Sequence, residues 1–68
     1  MRTGKVIFFD TSGIGMVYEA ATESVFQVHY SAIDSKDSFK TLKKNSSVEF
    51  TLYRNCYMEQ IDYIREIA

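Results

Sequence analysis

The sequence has too few cysteine and histidine residues for the disulfides or the structural metal site that often stabilise a small domain. Cys56 is the only cysteine and His29 the only histidine among its 68 residues. One thiol cannot form an intrachain disulfide, and a structural zinc site takes four such ligands. We therefore expect no metal and no cofactor, and we expect Cys56 to be a small buried or half-buried side chain.

Long apolar runs and proline are also missing. The apolar stretch from Val6 to Phe9 is shorter than a signal-peptide core, and no run approaches the roughly 20 residues of a membrane span. Together with a lone thiol, this predicts a cytoplasmic protein that does not contact membranes. No repeat or linker divides the chain, so residues 1–68 are predicted to form one domain. So small a domain rarely holds a deep cleft, and no nucleophile–base or carboxylate pair is apparent, so an enzyme is not predicted.

Aromatic residues, by contrast, are abundant. Five Phe and five Tyr make up 15% of the chain. That is more than a core of this size needs, so some rings are predicted to lie on the surface, where they serve binding.

The charge is unevenly distributed along the chain. Residues 36–54 carry five cations against two anions, whereas residues 1–34 carry two against four and residues 55–68 one against three. A basic segment of this kind is either a solvated loop or a contact for a polyanion, and the residues leave both open.

Alternating apolar residues predict four strands, at residues 3–10, 13–20, 24–31 and 46–54. In the third, Phe26 is expected to point into the core. Gly13 and Gly15 would weaken an ordinary strand, so they predict a bend or a close approach to the backbone. Residues 56–67 are ambiguous, because their apolar spacing slightly favours a helix. Short strands without a long helix are typical of a small barrel or sandwich.

Five blocks of the sequence resemble the bacterial cold-shock domain in their order and spacing. They lie at residues 4–10, 12–17, 25–33, 39–43 and 48–50, and are similar to the family's GKVKWFN, KGFGFI, DVFVHFSAI, FKTLK and VxFE. The resemblance implies an all-β fold, a five-stranded antiparallel OB-fold barrel, in which residues 60–64 form the last strand. It also implies that single-stranded RNA or DNA is the partner and that the protein acts as an RNA chaperone.

In that family, exposed side chains stack on bases and lysines follow the phosphates. The resemblance places the stacking positions at Phe8, Phe9, Ile14, Met16, Gln27, His29, Tyr30 and Phe39, and phosphate contacts at Lys5 and Lys40. Phe8 and Phe9 could both belong to the core, but with Val6 inward we expect Phe8 on the surface.

Several of these positions depart from the family pattern. The rings are absent at Ile14, Met16 and Gln27, and family lysines are replaced by Ile7 and Ser12. We therefore expect a divergent cold-shock protein with weakened affinity for nucleic acid. The alternative is a degenerate barrel that binds a protein or associates with itself as a homodimer, because an apolar, weakly charged face suits protein contact.

Overall fold

The structure is a computed structural model that describes residues 1–34 and 40–67. This part of the chain contains five strands, which are β1 (Arg2–Phe9), β2 (Ile14–Glu19), β3 (Ser24–His29), β4 (Ser47–Arg54) and β5 (Glu59–Glu66). They form one antiparallel sheet in the order β3-β2-β1-β4-β5. Contacts between β3 and β5 bring the two ends of the sheet together into a nearly closed barrel. The predicted five-stranded OB-fold is confirmed.

A single hydrophobic core fills the barrel. β-branched and aromatic residues at alternate strand positions supply it, as expected for strands with one buried face. Phe26 and Phe50 meet there with ring centroids 6.0 Å apart, which confirms the inward orientation expected for Phe26. The described core residues are Val6, Val17, Phe26, Val28, Ala32, Ile33, Leu42, Val48, Phe50, Ile61 and Ile64. No described segment forms a helix long and apolar enough to cross a membrane.

A bulge in β1 decides which way its aromatic residues face. Val6 pairs with Val17, and Phe8 pairs with Met16, so Ile7 is an extra residue in β1. A strict alternation would place Phe8 on the same face as Val6, inside the barrel. The extra residue reverses the phase, as bulges do. Phe8 is therefore 42% exposed while Val6 remains buried. The expected surface position of Phe8 is correct, but it results from the bulge, because alternation from an inward Val6 would have buried Phe8.

The C-terminal segment is a strand, and a second bulge explains its helix-like pattern. Thr51 pairs with Tyr63 and Leu52 with Ile61, which leaves Asp62 as an extra residue in β5. Ile61 and Ile64 are thereby both buried although they are three residues apart. That spacing resembles one face of a helix, so the weak helical preference read from the pattern is wrong and the strand implied by the resemblance is confirmed.

The turn between β4 and β5 exposes the only cysteine. The side-chain oxygen of Asn55 accepts hydrogen bonds from the backbone N–H groups of Tyr57 and Met58, at 2.8 and 2.9 Å. Cys56 lies within this Asx-type turn and is exposed. The expectation that Cys56 fills a buried or half-buried position is wrong.

Both glycines singled out from the sequence lie where another group approaches the backbone. Gly13 has a φ of +87°, and a Cβ there would lie 2.7 Å from Cδ1 of Tyr30. In β2, a Cβ on Gly15 would lie 2.5 Å from the carbonyl oxygen of Phe8 and 2.7 Å from Cδ2 of Phe9. The absence of a side chain at Gly15 therefore allows β2 to approach the backbone of β1 closely at Phe8 and Phe9.

We expect Gly15→Ala to lower the free energy of unfolding by about 1–3 kcal/mol, the range for overpacking a well-packed site. The added methyl group meets a backbone carbonyl of β1, which cannot move without disturbing the strand pairing. Urea unfolding measures the effect. Thr3→Ala, at an exposed position of β1, serves as the control and should change stability by no more than about 0.5 kcal/mol. Equal stability of the two variants would contradict the close approach.

Candidate nucleic-acid interface

The outer face of β1, β2 and β3 carries most of the predicted stacking positions. Strand register places Phe8 beside Met16 and Met16 beside Gln27, so these three form one row across the sheet. Ile14 pairs with His29 and forms the next row. We call these five side chains the platform. Phe8, Gln27 and His29 are exposed, and Ile14 and Met16 are half-buried. The strand register therefore places these five side chains on one continuous surface.

His29 and Tyr30 lie at the end of the platform where β3 leads into a 3₁₀ turn. Their ring centroids are 4.3 Å apart. Nδ1 of His29 accepts a hydrogen bond from the backbone N–H of Ser31, at 3.3 Å, and so caps the turn. In the neutral imidazole the proton then resides on Nε2, which leaves a donor available to a ligand. The His29 side chain thus both fixes this corner and presents a ring and a donor.

A groove of about 660 Å³ opens beside this corner. Its walls are Phe9, Asp10, Thr11, Ser12, Gly13, Tyr30, Lys40 and Thr41. Phe9 was placed with the stacking side chains, but it is half-buried and packs against the core, so it lines the groove rather than the platform. Tyr30 is 49% exposed, and its ring lies against Gly13. The groove therefore has ring-bearing walls as well as charged ones.

A tight turn holds the carboxylate of Asp10 at this groove. Its Oδ1 accepts hydrogen bonds from the side-chain hydroxyl and the backbone N–H of Ser12, the latter at 3.0 Å. A longer contact of 3.5 Å comes from the N–H of Ile14. The hydroxyl of Ser12, with the two backbone donors, lowers the pKa of Asp10 below its ordinary value and outweighs the opposing effect of desolvation. Asp10 is therefore an anion at neutral pH.

Cations flank the platform and the groove. Lys5 is exposed on β1, in the same row as Tyr18 and Val25. Lys40 is exposed and its Nζ donates a 3.3 Å hydrogen bond to the carbonyl of Ile33. Of the remaining predicted positions, Phe39 lies outside the described residues.

A turn that carries two lysines is hydrogen-bonded to β1 just past the residues of β1 that pair with β4. The N–H of Asn45 donates to the carbonyl of Val6 at 2.8 Å, and the N–H of Val6 donates to the carbonyl of Ser46 at 3.1 Å. Lys43 and Lys44, which precede Asn45, are exposed. Lys43 and Lys44, the described lysines of this turn, therefore lie near the strand that carries Phe8.

The sequence interpretation missed part of the apolar surface. Ile7, Tyr18 and Val25 are large, exposed side chains on the same three strands. The signal was available for Tyr18, because it shares a strand face with Ile14 and Met16. Within the described residues, no group of His, Cys, Asp and Glu side chains is arranged to hold a metal ion.

Comparison with known proteins identifies the family. The family model described as the 'Cold-shock' DNA-binding domain matches residues 2–58, which include β1 to β4 and every predicted site position. A search of curated proteins finds no match. Because the family model spans most of the chain, the protein belongs to the cold-shock DNA-binding domain family, and its general function is to bind nucleic acid.

Proposed function

We propose that the protein binds single-stranded RNA or DNA across the platform and the adjoining groove, and that it acts as an RNA chaperone of reduced affinity. The observation that carries this proposal is the register of β1, β2 and β3, which gathers Phe8 and His29 on one outer face. Flat rings on an exposed sheet stack on bases of any sequence. Lys5 and Lys40 are exposed at the margins, where the phosphates of a stacked strand would pass.

Reduced affinity follows from the side chains that replace rings. Stacking contributes roughly 1–3 kcal/mol per base, and Ile14, Met16 and Gln27 offer no ring. Ile14 and Met16 retain some dispersion contact, so the loss is partial. Weak binding with rapid release suits a chaperone that keeps RNA unfolded without trapping it.

Titration of fluorescent oligothymidylate and oligouridylate with the protein tests the proposal. We expect dissociation constants in the micromolar range or weaker, and a log–log salt slope of roughly −2 to −3. A single strand contributes about −0.7 to this slope for each phosphate contacted, and the proposal assigns such contacts to Lys5, Lys40 and one or two of the neighbouring lysines. Binding that does not respond to salt would contradict the proposal. Nanomolar affinity at physiological salt would contradict the reduced affinity.

A second candidate function is protein binding, including self-association. The three strands that carry Phe8 and Met16 also expose Ile7, Tyr18 and Val25, which add apolar surface with few charges. Such surfaces favour protein contact over phosphate contact. Sedimentation of the free protein, run beside the oligonucleotide titration, distinguishes this function from the first.

A further inference from the structure

One groove beside the platform contains a fixed anion, which is unexpected where a polyanion is to bind. Oδ1 of Asp10 is engaged by the turn at Ser12, and Oδ2 accepts no hydrogen bond from the residues that the structure describes. Within that same part of the chain, Asp10 forms no ion pair. The nearby cation of Lys40 is directed to the carbonyl of Ile33 instead. The groove therefore presents, beside the ring of Tyr30, a carboxylate that belongs to no ion pair among the described residues.

The carboxylate excludes some ligand groups and selects others. It repels a phosphate, so the part of a strand that lies beside Asp10 is expected to be a base, while the backbone passes on the side of Lys40. An ionised carboxylate only accepts hydrogen bonds. Uracil and thymine present one N–H between two carbonyl oxygens, and the carboxylate repels those oxygens because all of them are acceptors. Guanine presents N1–H and the N2 amine side by side, which gives two donors to one carboxylate.

We propose that the groove lined by Asp10, Tyr30 and Lys40 is a base-selective subsite that takes guanine in preference to uracil or thymine. This inference rests on the proposed single-strand binding and deepens it, because stacking on the platform does not distinguish bases. The ring of Tyr30 provides a surface for the base, and the carboxylate of Asp10 accepts hydrogen bonds from the donor edge of the base. The lowered pKa of Asp10 keeps this acceptor ionised throughout the neutral range.

The test compares three short oligodeoxynucleotides that differ at one central position. That position is thymine in the first, guanine in the second and hypoxanthine, which lacks the N2 amine, in the third. We expect the guanine strand to bind about tenfold more tightly than the all-thymine strand, since a good two-donor contact discriminates by roughly that factor. Hypoxanthine should lose most of the advantage, because one donor is removed while the ring is kept.

Two variants test whether the carboxylate of Asp10 causes the preference for guanine. Asp10→Asn keeps the size of the side chain and an acceptor for the turn, but it removes the charge. We expect it to bring the guanine-to-thymine affinity ratio to within about twofold of unity. Glu66→Gln makes the same change of net charge on β5, away from the groove, and should leave the ratio as in the wild type.

The outcomes separate this inference from the proposed function. Salt-sensitive binding of all three strands with equal affinity overturns the subsite and leaves single-strand binding intact. A preference that persists in Asp10→Asn also overturns it, because another group would then read the base. If no strand binds at any salt concentration, both the subsite and the proposed function are wrong.

Discussion

Phe50→Ala should leave the chain unfolded at room temperature. Phe50 has no exposed surface, and it lies in the centre of the core against Phe26. Truncation of a buried Phe costs about 3–5 kcal/mol. A domain below about 70–80 residues rarely has more than about 3–5 kcal/mol of total stability. The cavity would therefore remove most or all of the stability.

Circular dichroism during urea unfolding measures this effect. Phe50→Leu is the first comparison, because it keeps most of the volume and should still unfold cooperatively. Tyr53→Ala is the second, since Tyr53 is a ring on the same strand that is 51% exposed. It should change stability by about 0.5 kcal/mol or less. A cooperative transition of Phe50→Ala near the wild-type midpoint would show that the core does not depend on this ring.

Local patterns in the sequence were sufficient to predict the four N-terminal strands. Alternation in residues 24–29 and 47–52 follows directly from a sheet with one buried face, and the turns carry glycine or small polar residues. Such signals depend only on neighbours in the chain. The strand bounds therefore agree with the structure to within about two residues, the usual uncertainty of element ends.

The two bulges could not be read from alternation. Ile7 and Asp62 each add a residue opposite a continuous partner strand, so the buried face shifts by one position. Whether a strand absorbs such a residue depends on the partner's register, which is not local information. Only the resemblance to the family indicated that the last segment was a strand. The exposure of Phe8 depends on the same kind of shift.

The burial of Glu19 also could not be predicted from the sequence. Its side chain is within the barrel wall at 4% exposure, where a carboxylate is costly unless it is paired. Arg2 lies 2.9 Å from it, and Thr22 donates a 2.6 Å hydrogen bond to the same oxygen. Arg2 and Glu19 are 17 residues apart, so only the pairing of β1 with β2 brings them together.

The sequence predicted a group of site residues, and the structure shows how they are arranged on the barrel. The family resemblance placed Phe8, Met16 and Gln27 in one binding surface, and their shared register row agrees with that grouping. The resemblance could not place Phe9 in the wall of a groove, because that depends on the approach of its ring to Gly15. It also gave no role to Asp10, whose surroundings are formed by a turn and by Tyr30 together.

The double variant Phe8→Ala/His29→Asn should weaken oligonucleotide binding at least about thirtyfold. Each ring removed loses roughly 1–3 kcal/mol of stacking, so the two together exceed about 2 kcal/mol. Asn is chosen at position 29 because it still caps the 3₁₀ turn through a side-chain oxygen, as Nδ1 of His29 does. The melting temperature should change little, since both side chains are exposed. Fluorescence titration with oligothymidylate measures the loss.

The control and a third variant decide between the two candidate functions. Tyr53→Ala removes a comparably exposed ring from β4. Tyr53 lies past the N-terminal end of β1, whereas Phe8 is near its C-terminal end, so this variant should leave oligonucleotide affinity unchanged. If the outer face instead binds protein, the double variant would bind oligonucleotides as the wild type does. Met16→Asp would then shift the sedimentation of the free protein toward the monomer, because it places a charge within the apolar surface. Under single-strand binding, Met16→Asp weakens the oligonucleotide complex through repulsion of phosphates and leaves the sedimentation of the free protein unchanged.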